Sequence, residues 1–244
     1  MQAPHPPLKA YYGAEADRPD WVRGIFTRTA ADYDRVEAAM AFGSGSWYRR
    51  RALQGCGLRR GMRTVDVGVG TGLVAREAAA IVGDPALVTG VDPSPGMLAN
   101  AHVPLGVSLL MGSAEALPLP DGFADFLSMG YALRHIGDLT TAYAEFFRVL
   151  RPGGLLCVLE ITLPKGPVAR AILKGYMRGA VPWLARALAR HGDMPELMRY
   201  YWDTIVACVP PATVMQGITD AGFADVSRDV ELGIFSAYRA RKPA

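Results

Sequence analysis

The sequence is poor in the features that mark secreted, metal-binding and membrane-spanning proteins. Its three cysteines, Cys56, Cys157 and Cys208, lie far apart in 244 residues, without a CxxC pair or a Cys/His cluster. This spacing disfavours a disulfide framework and a zinc site, so we expect a reducing cytoplasm as the setting and no bound metal. Apolar runs stay below the roughly 18 residues that a membrane span needs, and the first residues do not resemble a secretory signal peptide.

The sequence also has little excess charge of either sign. Lysine and arginine together number 26 and aspartate and glutamate 23, which leaves a net charge of +3. Domains that bind nucleic acid usually carry a concentrated basic stripe. We therefore expect a small-molecule partner and no nucleic acid.

Strands and helices alternate through most of the chain. Half of the residues are apolar, enough for one sizeable core. The strand-like runs are 64–67, 86–92, 107–112, 123–130 and 154–162, and 223–240 has the pattern of two antiparallel strands around Gly233. This alternation predicts an α/β fold, a Rossmann-like doubly wound sheet of seven strands that is mostly parallel with an antiparallel last strand.

We expect a single domain, 1–244, with four parts. Residues 60–162 form the predicted cofactor-binding core, preceded by a helical lid segment at 18–54 that breaks near 42–46. A helical insertion, 167–208, follows the fifth strand and is predicted to cover the acceptor, and a helix and hairpin at 211–244 end the sequence. The first dozen residues, which contain three prolines, are predicted to be a loose tail. Three histidines are predicted to lie on the surface: His5, His102 and His191.

The stretch VDVGVGTGLVA, 65–75, places three glycines at alternate positions directly after the first predicted strand. Such a turn between a strand and a helix lets a nucleotide-like ligand approach the backbone and the unpaired N–H groups of the helix. The sequence has no triphosphate-binding loop, and a dinucleotide turn requires glycine where the chain has Leu73. An S-adenosylmethionine turn, acid-x-G-x-G-x-G, fits in full on Asp66, Gly68, Gly70 and Gly72.

Further candidate cofactor contacts follow the second and third strands. Asp92 ends the second strand, where a carboxylate can accept hydrogen bonds from both ribose hydroxyls, while Asp66 can hold the ammonium of the amino-acid end, directly or through water. The turn at 112–122 would lie beside the adenine. The other predicted cofactor contacts are Pro93, Met97, Ser113, Ala114, Glu115 and Met129. The alternative is a Rossmann-like domain without a cofactor, in which both aspartates serve turns.

The region after the fourth strand carries a more specific pattern. It contains an aromatic and a small residue, an L-R-x triplet, an R-V-L-x-P-G-G run and a strand ending in L-E, which are Tyr131–Ala132, Leu133–His135, Arg148–Gly154 and Leu159–Glu160. Together with segments 25–50, 199–205 and 220–226, this pattern resembles the ubiquinone/menaquinone biosynthesis C-methyltransferases over nearly the whole chain. Three positions depart from the family pattern: Glu37, Leu73 and His135.

The resemblance implies an S-adenosylmethionine-dependent methyltransferase whose acceptor is a hydrophobic aromatic or quinol small molecule, with C-methylation favoured. The three departures leave open the O- or N-methylation of a secondary metabolite. A catalytically silent cofactor-binding protein is a third alternative, and a homodimer is left open.

Carbon methylation of a hydroxylated ring requires alignment with the methyl group and is helped by removal of a phenolic proton. His135 is the candidate base because histidine titrates near neutral pH; the alternative is a turn histidine that caps the next helix. Arg134 is a candidate for holding an acceptor oxygen, or else it pairs with Asp138 or Glu160. The resemblance implies that the acceptor is surrounded by Tyr33, Tyr131 and Arg134, although Tyr131 has plain packing as its alternative role.

Residues 168–190 form a basic amphipathic stretch. Arg170, Lys174 and Arg178 recur every four residues, so they share one face of a helix that Pro182 is predicted to break or kink. One interpretation is a solvated charged face over a buried apolar face. The other is a lid that covers an apolar acceptor and makes peripheral contact with an anionic membrane.

Overall fold

The computed structural model describes residues 2–41, 43–190 and 192–244. Within them the strands are β1 (Thr64–Val67), β2 (Val88–Asp92), β3 (Ser108–Met111), β4 (Ala124–Gly130), β5 (Leu150–Ile161), β6 (Ala224–Glu231) and β7 (Phe235–Arg241). These described strands make one sheet in the order β3-β2-β1-β4-β5-β7-β6. β1 to β5 are parallel to one another, whereas β7 is antiparallel to β5 and β6. The predicted doubly wound sheet with an antiparallel last strand is confirmed.

Helices cover both faces of this sheet and its carboxyl edge. They are α1 (Arg18–Met40), α2 (Gly45–Gly55), α3 (Leu73–Val82), α4 (Pro95–Ala99), α5 (Leu139–Val149), α6 (Pro167–Gly175), α7 (Val181–Leu188), α8 (Met194–Ala207) and α9 (Pro211–Asp220). The predicted break within 18–54 falls between α1 and α2, and part of it, residue 42, lies outside the described residues.

Three hydrophobic clusters hold these layers together. Phe146 of α5 and Ile218 of α9 pack with one face of the sheet, and Leu53 of α2 packs with α3 on the other face. A third cluster joins α1, α7 and α8 through buried side chains such as Ile25 and Leu197. Because apolar burial is the main favourable contribution to folding, the third cluster fixes α1 as a layer beside the carboxyl ends of the strands.

The order of the strands creates a crevice at a defined place. β1 pairs with β2 on one side and with β4 on the other, so the direction in which the sheet is built reverses at β1. Ligands of open α/β sheets bind outside the carboxyl ends of the strands at such a switch point. The glycine turn after β1 and the Tyr131–His135 segment after β4 both lie there.

The helical insertion only partly follows the expected pattern. A π-helical turn, Tyr176–Ala180, separates α6 from α7, and Pro182 lies in the first turn of α7, so the predicted break is confirmed. In α7 an apolar face is buried, whereas α6 has no buried residue. A solvated charged face over a buried apolar face is therefore wrong for α6. No helix among the described residues is both long and apolar enough to cross a membrane.

The N-terminal segment is packed, which corrects the prediction of a loose tail. His5 is buried, its Nε2 lies 3.0 Å from the carbonyl oxygen of Arg134, and the carbonyl of Pro4 accepts a 2.7 Å hydrogen bond from Val209 N. The prediction of a surface position is thus wrong for His5 and right for His102, while residue 191 lies outside the described residues. Sequence reasoning missed this segment because its partners lie more than a hundred residues away.

Candidate active site

One continuous cavity of about 420 Å³ lies at the switch point. Its wall on one side is formed by the turns after β1, β2 and β3. On the other side it is formed by α1, α2, Leu173 of α6 and Tyr201 of α8. We name these the donor half and the acceptor half. The cavity brings together predicted site residues from every part of the sequence.

Glycine is needed at the three positions of the turn for different structural reasons. All three have positive φ, at 68° for Gly68, 55° for Gly70 and 92° for Gly72. A Cβ on Gly70 would meet no atom within 4 Å, whereas one on Gly72 would lie 2.4 Å from Val103 Cγ1. Gly68 and Gly70 line the cavity. Gly72 lies behind the turn, where it begins α3 in a left-handed conformation, so its position does not support the prediction of a direct cofactor contact.

Asp66 lies beneath this turn and does not line the cavity. Its side chain is buried, and Oδ1 accepts a 2.8 Å hydrogen bond from Ser128 Oγ, while Oδ2 has no partner among the described atoms. Burial raises the pKa of Asp66 to about 7, and the nearby Asp92 carboxylate adds to the rise. A buried carboxyl with one unsatisfied oxygen can be ionised by a cation that approaches from the turn.

Asp92 lines the donor half and also organises the turn. One carboxylate oxygen accepts a 2.8 Å hydrogen bond from Gly70 N, and the other accepts one of 2.8 Å from Ser94 N. Burial raises its pKa to about 6. Each oxygen has a second lone pair, so these bonds leave acceptor capacity toward the cavity. The remaining predicted donor-half residues that line the cavity are Pro93, Met97, Ser113, Ala114, Glu115 and Met129.

Arg134 forms a buried ion pair in the acceptor half. Its Nη1 donates to Glu160, and Nε donates to Thr204 Oγ1 at 3.1 Å, while Nη2 has no partner among the described atoms. The alternative pairing with Glu160 is confirmed and the one with Asp138 is wrong, because Asp138 caps α5. The unpartnered Nη2 leaves one donor in a cavity-lining side chain.

His135 lies in a cage of aromatic rings. Its ring stacks 5.3 Å from Tyr200 and 5.6 Å from Tyr201, Nδ1 lies 3.2 Å from the Tyr200 hydroxyl, and Nε2 has no partner among the described atoms. Burial and the Arg134 guanidinium hold its pKa well below the usual value. The prediction that it titrates near neutral pH is therefore wrong. Its alternative role as a helix cap is also wrong, since Asp138 takes that position.

Two tyrosines predicted around the acceptor line the same half. Tyr33 shares a 2.7 Å hydrogen bond with the hydroxyl of Tyr201, which ties α1 to α8. Tyr131 has a φ of 61°, an unusual conformation for a side chain larger than asparagine, and its N–H donates to Leu159 O at 2.8 Å. Such backbone conformations cluster at functional sites.

Sequence reasoning missed two contacts that complete the site. Thr71 Oγ1, between the second and third glycines, donates to Asp34 of α1. Arg49 of α2 donates to Glu37 of α1, and both line the cavity. The signal for the first pair was present in the Tyr33–Asp34 segment of the resemblance. Arg49 also lies in segment 25–50 of the resemblance, in a run that resembles the family's W-R-R, and its partner Glu37 is one of the departures from the family pattern.

Comparisons with known proteins agree with this geometry. Residues 13–242 match the ubiE/COQ5 methyltransferase family. A ubiquinone/menaquinone biosynthesis C-methyltransferase from Shewanella piezotolerans is 32% identical over 225 residues, which cover 89% of this chain and 88% of that protein. One from Shewanella oneidensis is 32% identical over 241 residues, which cover 95% of each.

Solved structures share the fold. An S-adenosylmethionine-dependent methyltransferase from Thermotoga maritima superposes with a TM-score of 0.61 at 24% identity, covering 90% of this chain and 98% of its own. Human N-acetylserotonin methyltransferase superposes with a TM-score of 0.58 at 18% identity, covering 97% and 59%. The fold is thus that of the S-adenosylmethionine-dependent methyltransferases. By its sequence the chain belongs to the ubiE/COQ5 methyltransferase family, and the predicted enzyme class is confirmed.

Proposed function

We propose that this methyltransferase transfers the methyl group of S-adenosylmethionine to a ring carbon of a hydrophobic quinol. The observation that carries the proposal is a single cavity that joins the glycine turn and Asp92 to an aromatic pocket with an unpartnered Arg134 nitrogen. The curated relatives with 32% identity are named as ubiquinone/menaquinone biosynthesis C-methyltransferases. The same reaction class suits the acceptor half.

The donor half fits S-adenosylmethionine in its chemistry. Asp92 has carboxylate lone pairs facing the cavity for two ribose hydroxyls, and Gly70 offers bare backbone. Asp66 lies beneath the turn and not in the cavity wall, so its buried Oδ2, which has no partner among the described atoms, would hold the ammonium group through a bridging water. When bound, the donor supplies a methyl group that is already activated on a sulfonium.

The residues of the acceptor half bind and orient the ring. Arg134 Nη2, which has no partner among the described atoms, can donate to a phenolic oxygen and favour its anionic form, which makes the neighbouring ring carbon electron-rich. His135, whose pKa is held below the usual value by burial, has an Nε2 without a partner among the described atoms that can accept the phenolic proton. The Tyr33–Tyr201 hydrogen bond ties α1 to α8 beside the ring site. Much of the rate then comes from alignment of the two reactants.

The test is turnover with isotopically labelled S-adenosylmethionine and a short-chain demethylquinol, compared with a panel of simple phenols and amines. The expected product carries a new carbon-bound methyl group, identified by NMR, and Asp92→Ala should lose donor binding and turnover together. An oxygen- or nitrogen-bound methyl on a panel member, with no reaction of the quinol, would replace this proposal by the secondary-metabolite alternative. Donor binding without any turnover would favour the alternative of a catalytically silent cofactor-binding protein.

The proposal extends to how the acceptor is reached. Val168 and Ile172 of α6 and Trp183 of α7 are 69% to 71% exposed. They lie among basic side chains, with no Asp or Glu from 165 to 190: Lys165, Arg170, Lys174, Arg178, Arg186 and Arg190. Leu173 and Tyr176 of the same segment line the cavity. An apolar face with basic flanks fits an anionic lipid surface, so the helical insertion acts as a lid that collects the acceptor from a membrane.

A further inference from the structure

Arg49 of α2 is a buried cation in the wall of the cavity. Its side chain is 4% exposed, Nη2 donates to Glu37, and Nε has no partner among the described atoms. Its guanidinium carbon lies 5.9 Å from the centre of the Tyr131 ring. The mechanism above does not use this residue, although it lines the cavity.

Glu37 compensates this charge from α1. Its side chain is 18% exposed, so the pair reaches the cavity rather than lying sealed in the core. Gly45, the first residue of α2, leaves room for the pair, because a Cβ there would lie 2.7 Å from Arg49 Nη1 and 3.1 Å from Glu37 Oε1. A guanidinium presents several donors in a fixed fork, and Glu37 occupies only part of that fork.

The ligand proposed for the donor half carries a charged group that the Arg49 guanidinium can bind. The amino-acid end of S-adenosylmethionine carries an ammonium and a carboxylate. Asp66, which would serve the ammonium, lies close enough to Arg49 for the guanidinium to lower its pKa, against the larger effect of burial. Two other arginines line the cavity: Arg134 is engaged with Glu160 in the acceptor half, and Arg23 pairs with Asp20 with half of its side chain exposed. Among the described arginines that line the cavity, Arg49 is therefore the one within electrostatic reach of Asp66.

We propose that Arg49 binds the carboxylate of the donor's methionine end, through Nε and one Nη, in exchange for Glu37. This rests on the proposed function, since it concerns the same donor. Glu37 then acts as an internal competitor: in the free protein it neutralises a cation that would otherwise be buried alone, and it must yield when the donor binds. Arg49 is thus a donor-binding residue, and Glu37 sets the affinity.

The test compares two ligands by calorimetry. S-adenosylhomocysteine has the amino-acid end, whereas methylthioadenosine has the same nucleoside and thioether sulfur without it. Arg49→Gln should weaken S-adenosylhomocysteine about 10- to 100-fold, the range for losing hydrogen bonds to a charged group, and leave methylthioadenosine within about 2-fold. Glu37→Gln should tighten S-adenosylhomocysteine about 3- to 10-fold, again without changing methylthioadenosine. Arg49→Lys should fall between wild type and Arg49→Gln.

Arg50→Gln is the matched control, because Arg50 lies next on α2, is 54% exposed and pairs with Glu77 at 2.8 Å. It should leave both affinities unchanged. Equal weakening of both ligands by Arg49→Gln would overturn the proposal and give Arg49 a structural role, and weaker S-adenosylhomocysteine binding in Glu37→Gln would overturn the competition. If wild type binds neither ligand, the proposed donor itself is wrong. Retained methylthioadenosine binding shows that each variant is folded.

Discussion

The carboxyl group of Asp66 is buried beneath the glycine turn of the donor half. Because burial raises its pKa to about 7, the folded chain favours the protonated carboxyl. A pKa higher in the folded than in the unfolded chain stabilises the fold below about pH 4, and that contribution is lost as the pH rises through 7. A bound ammonium reverses the preference, since it requires the ionised form.

The donor should therefore bind with release of a proton. We expect the affinity for S-adenosylhomocysteine to rise from pH 5.5 to about 7.5 and then level off, since Asp66 and Asp92 ionise with pKa values of about 7 and 6. Calorimetry in two buffers of different ionisation enthalpy measures the proton count. Asp66→Asn should bind more weakly and retain only the smaller pH dependence that comes from Asp92. An affinity independent of pH in wild type would show that neither carboxyl meets the ligand.

His135 needs a different pH test from the one its residue type suggests. Since burial holds its pKa well below the usual value, kcat should show no His135-dependent rise near the ordinary histidine pKa of about 6.5. His135→Ala should lower kcat by about 100-fold or more, the scale of general-base catalysis, with S-adenosylhomocysteine affinity within about 2-fold. Unchanged kcat in this variant would reduce His135 to a packing role in the aromatic cage.

At the residue scale, the sequence is informative where a site is local. Gly68, Gly70 and Asp92 belong to turns whose conformation their own residues dictate. The environment of His135 could not be predicted, because its pKa depends on Tyr200, Tyr201 and Arg134 closing around it after folding. Burial of this kind arises from elements distant in sequence, and local patterns do not record it.

At the scale of elements, α1 is fastened to the donor turns. Thr27 Oγ1 lies 2.9 Å from Ser94 Oγ, and Asp34 accepts from Thr71 of the glycine turn. A Cβ on Gly96 of α4 would lie only 2.6 Å from the carbonyl oxygen of Thr27. The helical pattern of α1 was visible in the sequence, but its position against α4 depends on these contacts between separate elements.

Gly96→Ala should push α1 away from the donor turns. Because the obstacle is backbone rather than a flexible side chain, we expect a loss of about 1 to 3 kcal/mol in the free energy of unfolding and weaker S-adenosylhomocysteine binding. Gly175→Ala is the control, since a Cβ in that last residue of α6 meets no atom within 4 Å. It should stabilise by about 0.4 to 1 kcal/mol. Denaturant unfolding measures both, and equal effects would show that α1 does not depend on this contact.

The N-terminal segment supports the turn that carries Arg134. His5 Nδ1 and Nε2 lie 2.8 Å and 3.0 Å from the carbonyl oxygens of Pro6 and Arg134, and Arg18 donates to the carbonyl of His5 at 2.7 Å. His5→Ala leaves the Arg134 carbonyl without this partner, so we expect a loss of about 1 to 3 kcal/mol in unfolding free energy and a lower kcat. Lys9→Ala, at an exposed site, should change neither. Matching unfolding curves for the two variants would contradict this support.

At the scale of the whole molecule, the order and direction of the strands could be anticipated because strand-helix alternation allows few topologies. Whether the apolar face of each amphipathic helix is buried could not be anticipated. The patterns of α6 and α7 are alike in sequence, yet α7 buries Val181 and Ala185 against α1 and α8, while α6 has no fully buried residue and only Leu173 half-buried. Periodicity predicts that a face is apolar, and only the assembled layers decide whether protein covers it.

The uncovered face of α6 leads to a prediction for the molecule as a whole. Exposed apolar side chains at the cavity mouth, Trp47 and Leu232, belong to the same opening that Leu173 lines. Each basic residue near an anionic surface contributes about 1 kcal/mol to attachment. Wild type should therefore sediment with vesicles that contain an anionic lipid and much less with neutral vesicles. The triple variant Arg170→Gln/Lys174→Gln/Arg178→Gln should lose about 10-fold or more of that partitioning.

The control for this triple variant removes equal charge from the opposite edge of the sheet. Arg63, Arg151 and Arg241 lie at the amino ends of β1 and β5 and at the adjoining end of β7. Their triple glutamine variant should sediment like wild type if attachment belongs to α6 and not to net charge. A second variant, Ile172→Ala/Trp183→Ala, should also weaken binding to anionic vesicles, because insertion of apolar side chains adds to the electrostatic attraction. An equal loss of vesicle binding in both triple variants would show that the interaction depends on overall charge. The acceptor would then have to reach the cavity through water.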